Sequence, residues 1–224
     1  MAKSEIITPL LLPIEKNSEA QKITILTNIV KMLTERDLIH KNNQDQYIKK
    51  VTSIQSDDQT YKIPIDNPAY GKDINFLIVK IINQRITSIS KSSGVSDFLN
   101  NYKTQPKIIV VPAINPKTQS QVQSDTVTYP NTEIFLEREL LINLVDHVSQ
   151  PKFKVLSEEE AKSVLDSYHA KRRDIPKILV GDPVSRYYNV RHGQMFRIIR
   201  PSETSGEAVT YRIVIKGQIK ETVS

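Results

Sequence analysis

The chain has 224 residues, a quarter of them charged, a formal net charge of +6 and no cysteine. These values fit a soluble globular protein of one large or two small domains, and they exclude disulfides and thiolate metal sites. No apolar run approaches the roughly eighteen residues of a membrane-spanning helix, and Pro9-Leu-Leu-Leu-Pro13 is too short for a signal-peptide core, so a cytosolic or nuclear protein is expected. The histidines at 40, 147, 169 and 192 share no spacing that puts two ligands on one helix face. With only six glycines no phosphate-cradling loop stands out, and neither a metal nor a cofactor is expected. Charge is uneven: residues 151–224 hold 14 Lys/Arg against 9 Asp/Glu, whereas residues 1–150 hold 17 against 16. A basic second part suits either nucleic acid nearby or an acidic protein partner.

Residues 1–17 lack periodicity and read as a loose arm. Ser18-Glu-Ala-Gln21 has the form of a capping box, and Ile23, Leu26, Val30 and Leu33 follow at helical spacing, predicting a helix that ends near His40. Residues 41–72 are polar, with short strands expected at 47–54 and 61–65. The run 74–82 is apolar on both faces, as in a central strand. Ser92 or Ser93 can cap a helix whose Val95, Phe98, Leu99 and Tyr102 share a face, and Lys107-Ile-Ile-Val-Val111 is the next strand. Strand, helix, strand in that span reads as a βαβ unit with parallel strands. The runs 132–136 and 140–145 are open to reading as a strand pair or as one helix, and their isoleucines and phenylalanine favour strands. Pro151 breaks the pattern and is taken as the end of a first domain, 1–150.

In the second domain, Ser157-Glu-Glu-Glu160 is a capping box with its carboxylates at the positive end of the helix dipole. Ala161, Val164, Leu165 and Tyr168 should be buried together, and Lys171-Arg-Arg173 should close that helix. Residues 178–180 form a short strand. Asp182-Pro183 starts a second helix, which Asn189 can end in a left-handed turn. Residues 194–200 and 208–215 alternate as two strands joined through Gly206, which is available for positive φ. The prediction is an α/β first domain with a βαβ core. Beside it stands a small α/β (α+β) domain, 151–216, of two helices on a sheet containing a hairpin, with a polar tail at 217–224.

Several motifs then occur in one order: Leu156-Ser-Glu-Glu-Glu-Ala-Lys162, Ile175-Pro-Lys-Ile178, Asp182-Pro-Val-Ser-Arg-Tyr-Tyr188, His192-Gly-Gln194, Ile198-Ile-Arg-Pro-Ser-Glu-Thr-Ser-Gly206 and Thr210-Tyr-Arg212. Their spacing over about 151–215 resembles the fifth subunit shared by eukaryotic nuclear DNA-directed RNA polymerases, whose archaeal counterpart has the C-terminal domain without the N-terminal one. The resemblance implies a non-catalytic transcription subunit within a hetero-oligomer. Its C-terminal domain would pack on the largest polymerase subunit and help assembly; its N-terminal domain would form part of a jaw near downstream duplex DNA. The N-terminal resemblance is weaker: the opening helix, the strand–helix–strand succession, and a junction near Leu140-Leu-Ile-Asn-Leu-Val-Asp-His147. The jaw loop falls on Ile114-Asn-Pro-Lys-Thr-Gln119, making Asn115, Pro116 and Lys117 the DNA-proximal residues. Asn189 stands where the family has glycine, and the polar tail runs past the family's usual end. A divergent first domain with a retained second one suits a large DNA virus carrying its own polymerase, hence virion and host cytoplasm; a divergent protist protein, hence nucleus, is the other reading.

The predicted docking residues are Asp182, Pro183, Arg186, Tyr187, Arg197, Arg200, Ser202, Thr204, Gly206, Tyr211 and Arg212. In residues 194–200 each strand face mixes apolar residues with an arginine, which demands a carboxylate or carbonyl. Arg197, Arg200 and Arg212 either stitch the hairpin together or dock a partner, where arginine is enriched. Tyr187, Tyr188 and Tyr211 are core residues, interface anchors, or both, and for Asp182-Pro183 a helix start is reason enough. Two rivals stand beside the subunit reading: a free-standing basic DNA-binding protein, and a metal-dependent nuclease built on Asp97 and Gln105-Pro-Lys107. The nuclease lacks a second converging carboxylate.

Overall fold

A computed structural model describes residues 17–217 except 55, 57, 68–73, 89–92, 125–127, 148–149, 203 and 205. The chain divides into two compact units, Met1–Ile142 and Asn143–Ser224.

The first unit opens with α1, Ser18–Glu35. Its cap is Asn17, whose Oδ1 accepts from Ala20 N–H at 2.7 Å, so the expected cap at Ser18 lies one residue inside the helix. Ile25, Leu26, Ile29, Val30, Met32 and Leu33 form the buried arc; Ile23, expected in it, lies at its margin and is 49% exposed. The helix stops before His40 because Asp37 takes φ +58°, letting Leu38 N–H reach Leu33 O and Asp37 N–H reach Thr34 O in a Schellman turn. Residues 47–54 are not a strand. A 3-10 turn, Lys41–Asn43, leads into α2, Gln44–Thr52, which packs on α1. Asp66 pins this corner, accepting from His40 N–H at 2.8 Å, Asn43 Nδ2 at 3.0 Å and Tyr47 Oη at 2.6 Å. Partial burial raises its pKa, but those donors outweigh it and hold the carboxyl below the usual range.

Strands β1, Thr60–Pro64, β2, Phe76–Ile81, β3, Lys107–Val111, and β4, Thr132–Leu136, stand in sequential order. β1–β2 is antiparallel; β2–β3 and β3–β4 are parallel, as the βαβ reading predicts. The crossovers carry α3, Ser93–Asn101, and α4, Pro116–Ser124. Val95, Phe98 and Leu99 of α3 and Val122 of α4 meet Ile78, Ile109 and Ile134 of the sheet in one core. Ser92 lies outside the described residues. The expected jaw loop at 114–119 is instead the start of α4: Asn115 Oδ1 accepts from Lys117 N–H at 3.1 Å beside Pro116, the start signal also present at Asp182-Pro183. The predicted strand at 140–145 is absent. Leu140 ends a one-turn helix, α5, Glu137–Leu140, and its carbonyl is held by the buried Asn28 Nδ2 at 2.7 Å.

The second unit is a four-stranded sheet of β5, Lys152–Val155, β6, Lys177–Leu179, β7, Met195–Ser202, and β8, Gly206–Ile215, in the order β5-β7-β8-β6. β5–β7 and β7–β8 are antiparallel and β6–β8 is parallel. Helix α6, Glu158–Ser167, carries the predicted capping box: Ser157 Oγ accepts from Glu160 N–H at 3.1 Å and Glu160 Oε2 from Ser157 N–H at 2.9 Å. It ends earlier than predicted because His169 takes φ +49°; Lys171 to Arg173 lie beyond it, around a 3-10 turn, Arg172–Asp174. Tyr168, expected in the core, is 64% exposed with its ring edge-on to Tyr211 at 5.9 Å. One sheet face packs Met195 against Leu156 and Ala161. The other gathers Phe196, Ile198 and Val214 with Val190 and Tyr188, which follow α7, Pro183–Tyr187.

Candidate partner-docking hairpin

The hairpin of the second unit is made by strand alternation and one permissive turn. β7 and β8 pair from Met195↔Ile213 to Ser202↔Gly206, and Gly206 takes φ +72° where the chain leaves the turn. Ser202 Oγ lies 3.3 Å from Thr204 Oγ1 across this connection, while residues 203 and 205 lie outside the described set. The base of the hairpin is core: Met195, Phe196, Ile198, Ile213 and Val214 are buried. Toward the tip the apolar cover thins, and Ile199, Ala208 and Thr210 are only half-buried.

Arg197, Arg200 and Arg212 are exposed, and among the described residues none of them makes an ion pair or a side-chain hydrogen bond. Arg197 has Lys154 on one side and Tyr211 on the other in the cross-strand register. Glu160, at the start of α6, is engaged by Lys154 Nζ at 2.7 Å. That contact and the Ser157 N–H hold the Glu160 carboxyl below its ordinary range. Arg172 pairs with Glu158 and donates to Gly193 O at 2.8 Å, so it serves the fold. Among the described residues, the hairpin arginines thus make no ion pair that would stitch the hairpin together.

The remaining predicted residues divide by role. Asp182 Oδ1 caps α7 by accepting from Val184 N–H at 2.9 Å, with Pro183 at the first helical position, so both are helix-start residues. Tyr187 is 6% exposed and stacks edge-on with Tyr188, which in turn meets Phe196; it is a core residue. Arg186 sits half-buried on α7, and Tyr211 half-buried under Tyr168. The structure thus gathers Arg197, Arg200, Ser202, Thr204, Gly206, Tyr211 and Arg212 on one ribbon and puts Asp182, Pro183, Arg186 and Tyr187 on the neighbouring helix. Sequence reasoning missed β5, which adds exposed Lys152 and Lys154 beside the ribbon; the alternation Lys-Phe-Lys-Val was its signal.

In the first unit Asn115, Pro116 and Lys117 are all exposed on the opening turn of α4. Asn115 N–H donates to Ile86 O at 3.1 Å, fixing this turn beside the segment that follows β2. Lys107 stands in contrast. Its side chain is enclosed, and Nζ donates to the carbonyls of Tyr102 at 2.9 Å, Lys103 at 3.3 Å, Gln105 at 3.0 Å and Pro130 at 3.1 Å. An ammonium so occupied cannot meet a substrate, and Asp97 lies exposed on α3, so the nuclease arrangement is not assembled.

Residues 142–214 match the family profile described as RNA polymerase Rpb5, C-terminal domain. Similarity also extends over most of the chain. "DNA-directed RNA polymerase subunit 5" of Acanthamoeba polyphaga mimivirus is 36% identical over 207 residues, 90% of this chain and 95% of that protein. The Dictyostelium discoideum "DNA-directed RNA polymerases I, II, and III subunit rpabc1" is 29% identical over 195 residues, 86% of this chain and 96% of that one. The corresponding Caenorhabditis elegans subunit is 38% identical over 108 residues, 48% of this chain and 51% of its own length. The chain belongs to the RNA polymerase subunit 5 family. It is a non-catalytic component of a DNA-directed RNA polymerase, it acts in transcription, and other polymerase subunits are its partners.

Proposed function

We propose that the second unit docks this chain on the largest subunit of its polymerase through the β7–β8 ribbon, and that the first unit contributes to the jaw around downstream DNA. The observation that carries the docking is the set of exposed arginines at 197, 200 and 212 with no carboxylate partner among the described residues. Guanidinium groups that make no ion pair among the described residues are suited to acidic groups on another chain. The jaw role rests on the exposed opening turn of α4, where Lys117 can meet a phosphate backbone in a sequence-independent, salt-sensitive way. With the viral relative in view, the setting is the virion and the host cytoplasm.

The test is co-purification with a tagged largest subunit. The double reversal Arg200→Glu with Arg212→Glu should lower retention by roughly a thousandfold, since each lost charge pair is worth about 2 kcal/mol at an interface. Unchanged retention would sink the docking reading.

A further inference from the structure

We propose that the outer edge of β8, at Val209 and Tyr211, is a strand-addition site that takes an extended segment of a partner polymerase subunit. The inference rests on the docking reading above and specifies its mode.

Hydrogen-bond parity defines the edge. Val214 N–H donates to Gln194 O at 2.8 Å and Val214 O accepts from Gly193 N–H at 2.9 Å, so even-numbered residues of β8 point their backbone toward β7. Ile213 N–H donates to Pro176 O at 2.8 Å and Ile215 O accepts from Val180 N–H at 2.9 Å, so odd-numbered residues point the other way, toward β6. The β7–β8 register is continuous to the turn, so this parity persists along the ribbon. β6, however, pairs only with residues 213–215, and Pro176 just before it has no N–H with which to extend the ladder. Val209 and Tyr211 therefore turn backbone groups to an edge that has no strand beside it among the described residues.

Two other edges of this sheet, along β5 and the end of β7, are blunted. β5 exposes Lys152 and Lys154. β7 outruns β5 and its next outward position is Pro201, by the same parity that turns Met195 O to Leu156 N–H at 2.9 Å. Lysine and proline are the usual guards of open edges. The span of β8 from 207 to 211 holds neither, and Val209 is 38% exposed. A two-stranded ribbon is marginal alone, and a third strand would complete it.

Side chains choose the occupant. An added strand would lay one face along Val209 and Tyr211 and the other along Thr210 and Arg212, so it should alternate apolar and acidic residues. A second copy of this chain fits poorly. Pairing through the outward residues sets odd against odd and even against even, so Arg212 would meet Gly206, Ala208 or Thr210, and no carboxylate.

The test uses the full chain assembled with its polymerase subunits. Val209→Pro removes the outward N–H, a change that edge strands tolerate, so the variant should fold with an unchanged melting temperature. Its retention in the complex should fall by about tenfold or more, while Val209→Thr, which keeps the N–H, stays within about twofold. Hydrogen exchange supplies the second readout: the Val209 and Tyr211 amides should be about a hundredfold more protected in the assembled complex than in the isolated chain. The proposal falls if these amides stay unprotected in the complex, if Val209→Pro assembles normally, or if that variant cannot fold, since its N–H would then face inward. Protection of these amides in the isolated chain that disappears on dilution would assign the edge to a second copy and equally overturn it. Normal assembly of Val209→Pro with loss in the Arg200/Arg212 reversal removes strand addition and leaves docking intact; normal assembly of both removes docking itself.

Discussion

Among the described residues, Lys107 is the one lysine that the first unit encloses, at 1% exposure, with carbonyl oxygens from the end of α3, the turn after it and the approach to β4 around its ammonium. Burial pushes its pKa from 10.5 down to about 8. The carbonyls favour the charged form and oppose that shift. Because the folded value lies below the unfolded one, the unfolded chain holds the extra proton between the two. Stability should therefore rise as pH climbs from about 8 towards 10.5. Other groups titrate there, so the useful quantity is the difference from Lys107→Met. Urea unfolding at about pH 7.5 and about pH 10 should show the native chain gaining on the order of 2 kcal/mol relative to the variant. A flat difference would show that the carbonyls hold the charged lysine as well as water does. Read from the residues alone, Lys107 has two roles, strand residue and nuclease lysine. Which carbonyls converge on it is decided by the crossover geometry, and no local pattern encodes that.

Helix ends tell a similar story at the scale of elements. α1, α6 and α7 all close in Schellman turns: Leu38 N–H to Leu33 O, Ala170 N–H to Leu165 O, and Val190 N–H to Ser185 O. In each the left-handed residue is not glycine but Asp37, His169 or Asn189, at φ +58°, +49° and +49°. Only Asn189 was legible in advance, because asparagine tolerates that region and aspartate or histidine advertises it weakly. The other misread elements have the same origin. In 47–54 aromatic and branched residues suggest a strand, yet Tyr47, Ile48 and Val51 share a helical face, and packing on α1 decides for the helix. By contrast the capping box at Ser157, the Asp182-Pro183 start and the Gly206 hairpin were readable because each is a short-range hydrogen-bond or dihedral requirement. Glycine at a left-handed position escapes the Cβ penalty but costs unfolded-state entropy. His169→Gly should therefore raise the stability of the second unit by about 0.5–1 kcal/mol, and His169→Val should lower it by at least as much. Thermal melts of the two variants check this; a loss on going to glycine would mean that the histidine side chain contributes more than its backbone costs.

Across the molecule, each unit closes a core and a sheet of its own, 17–142 around β3 and 143–217 around β7. The relatives reflect the same division. The viral and Dictyostelium proteins match over 90% and 86% of the chain, whereas the family profile covers 142–214 and the nematode match covers 48% of the chain. Separate cores allow one unit to diverge while the other keeps its assembly surface, and they predict that stability is not a single number for this protein. Arg36 offers the lever. Its guanidinium makes two 2.8 Å bonds to Glu133, with side-chain exposures of 4% and 16%, tying the end of α1 to β4 entirely within the first unit. Arg36→Met would break this largely enclosed pair and should cost that unit about 3 kcal/mol. Native-state hydrogen exchange then separates the possibilities. Amides of β2 and β3 should lose protection by roughly a hundredfold or more, while those of β7 and β8 at 195–198 and 213–215 keep theirs. A parallel loss in both sets would mean that the two units unfold as one, and the divergence of the first could not have proceeded independently of the second.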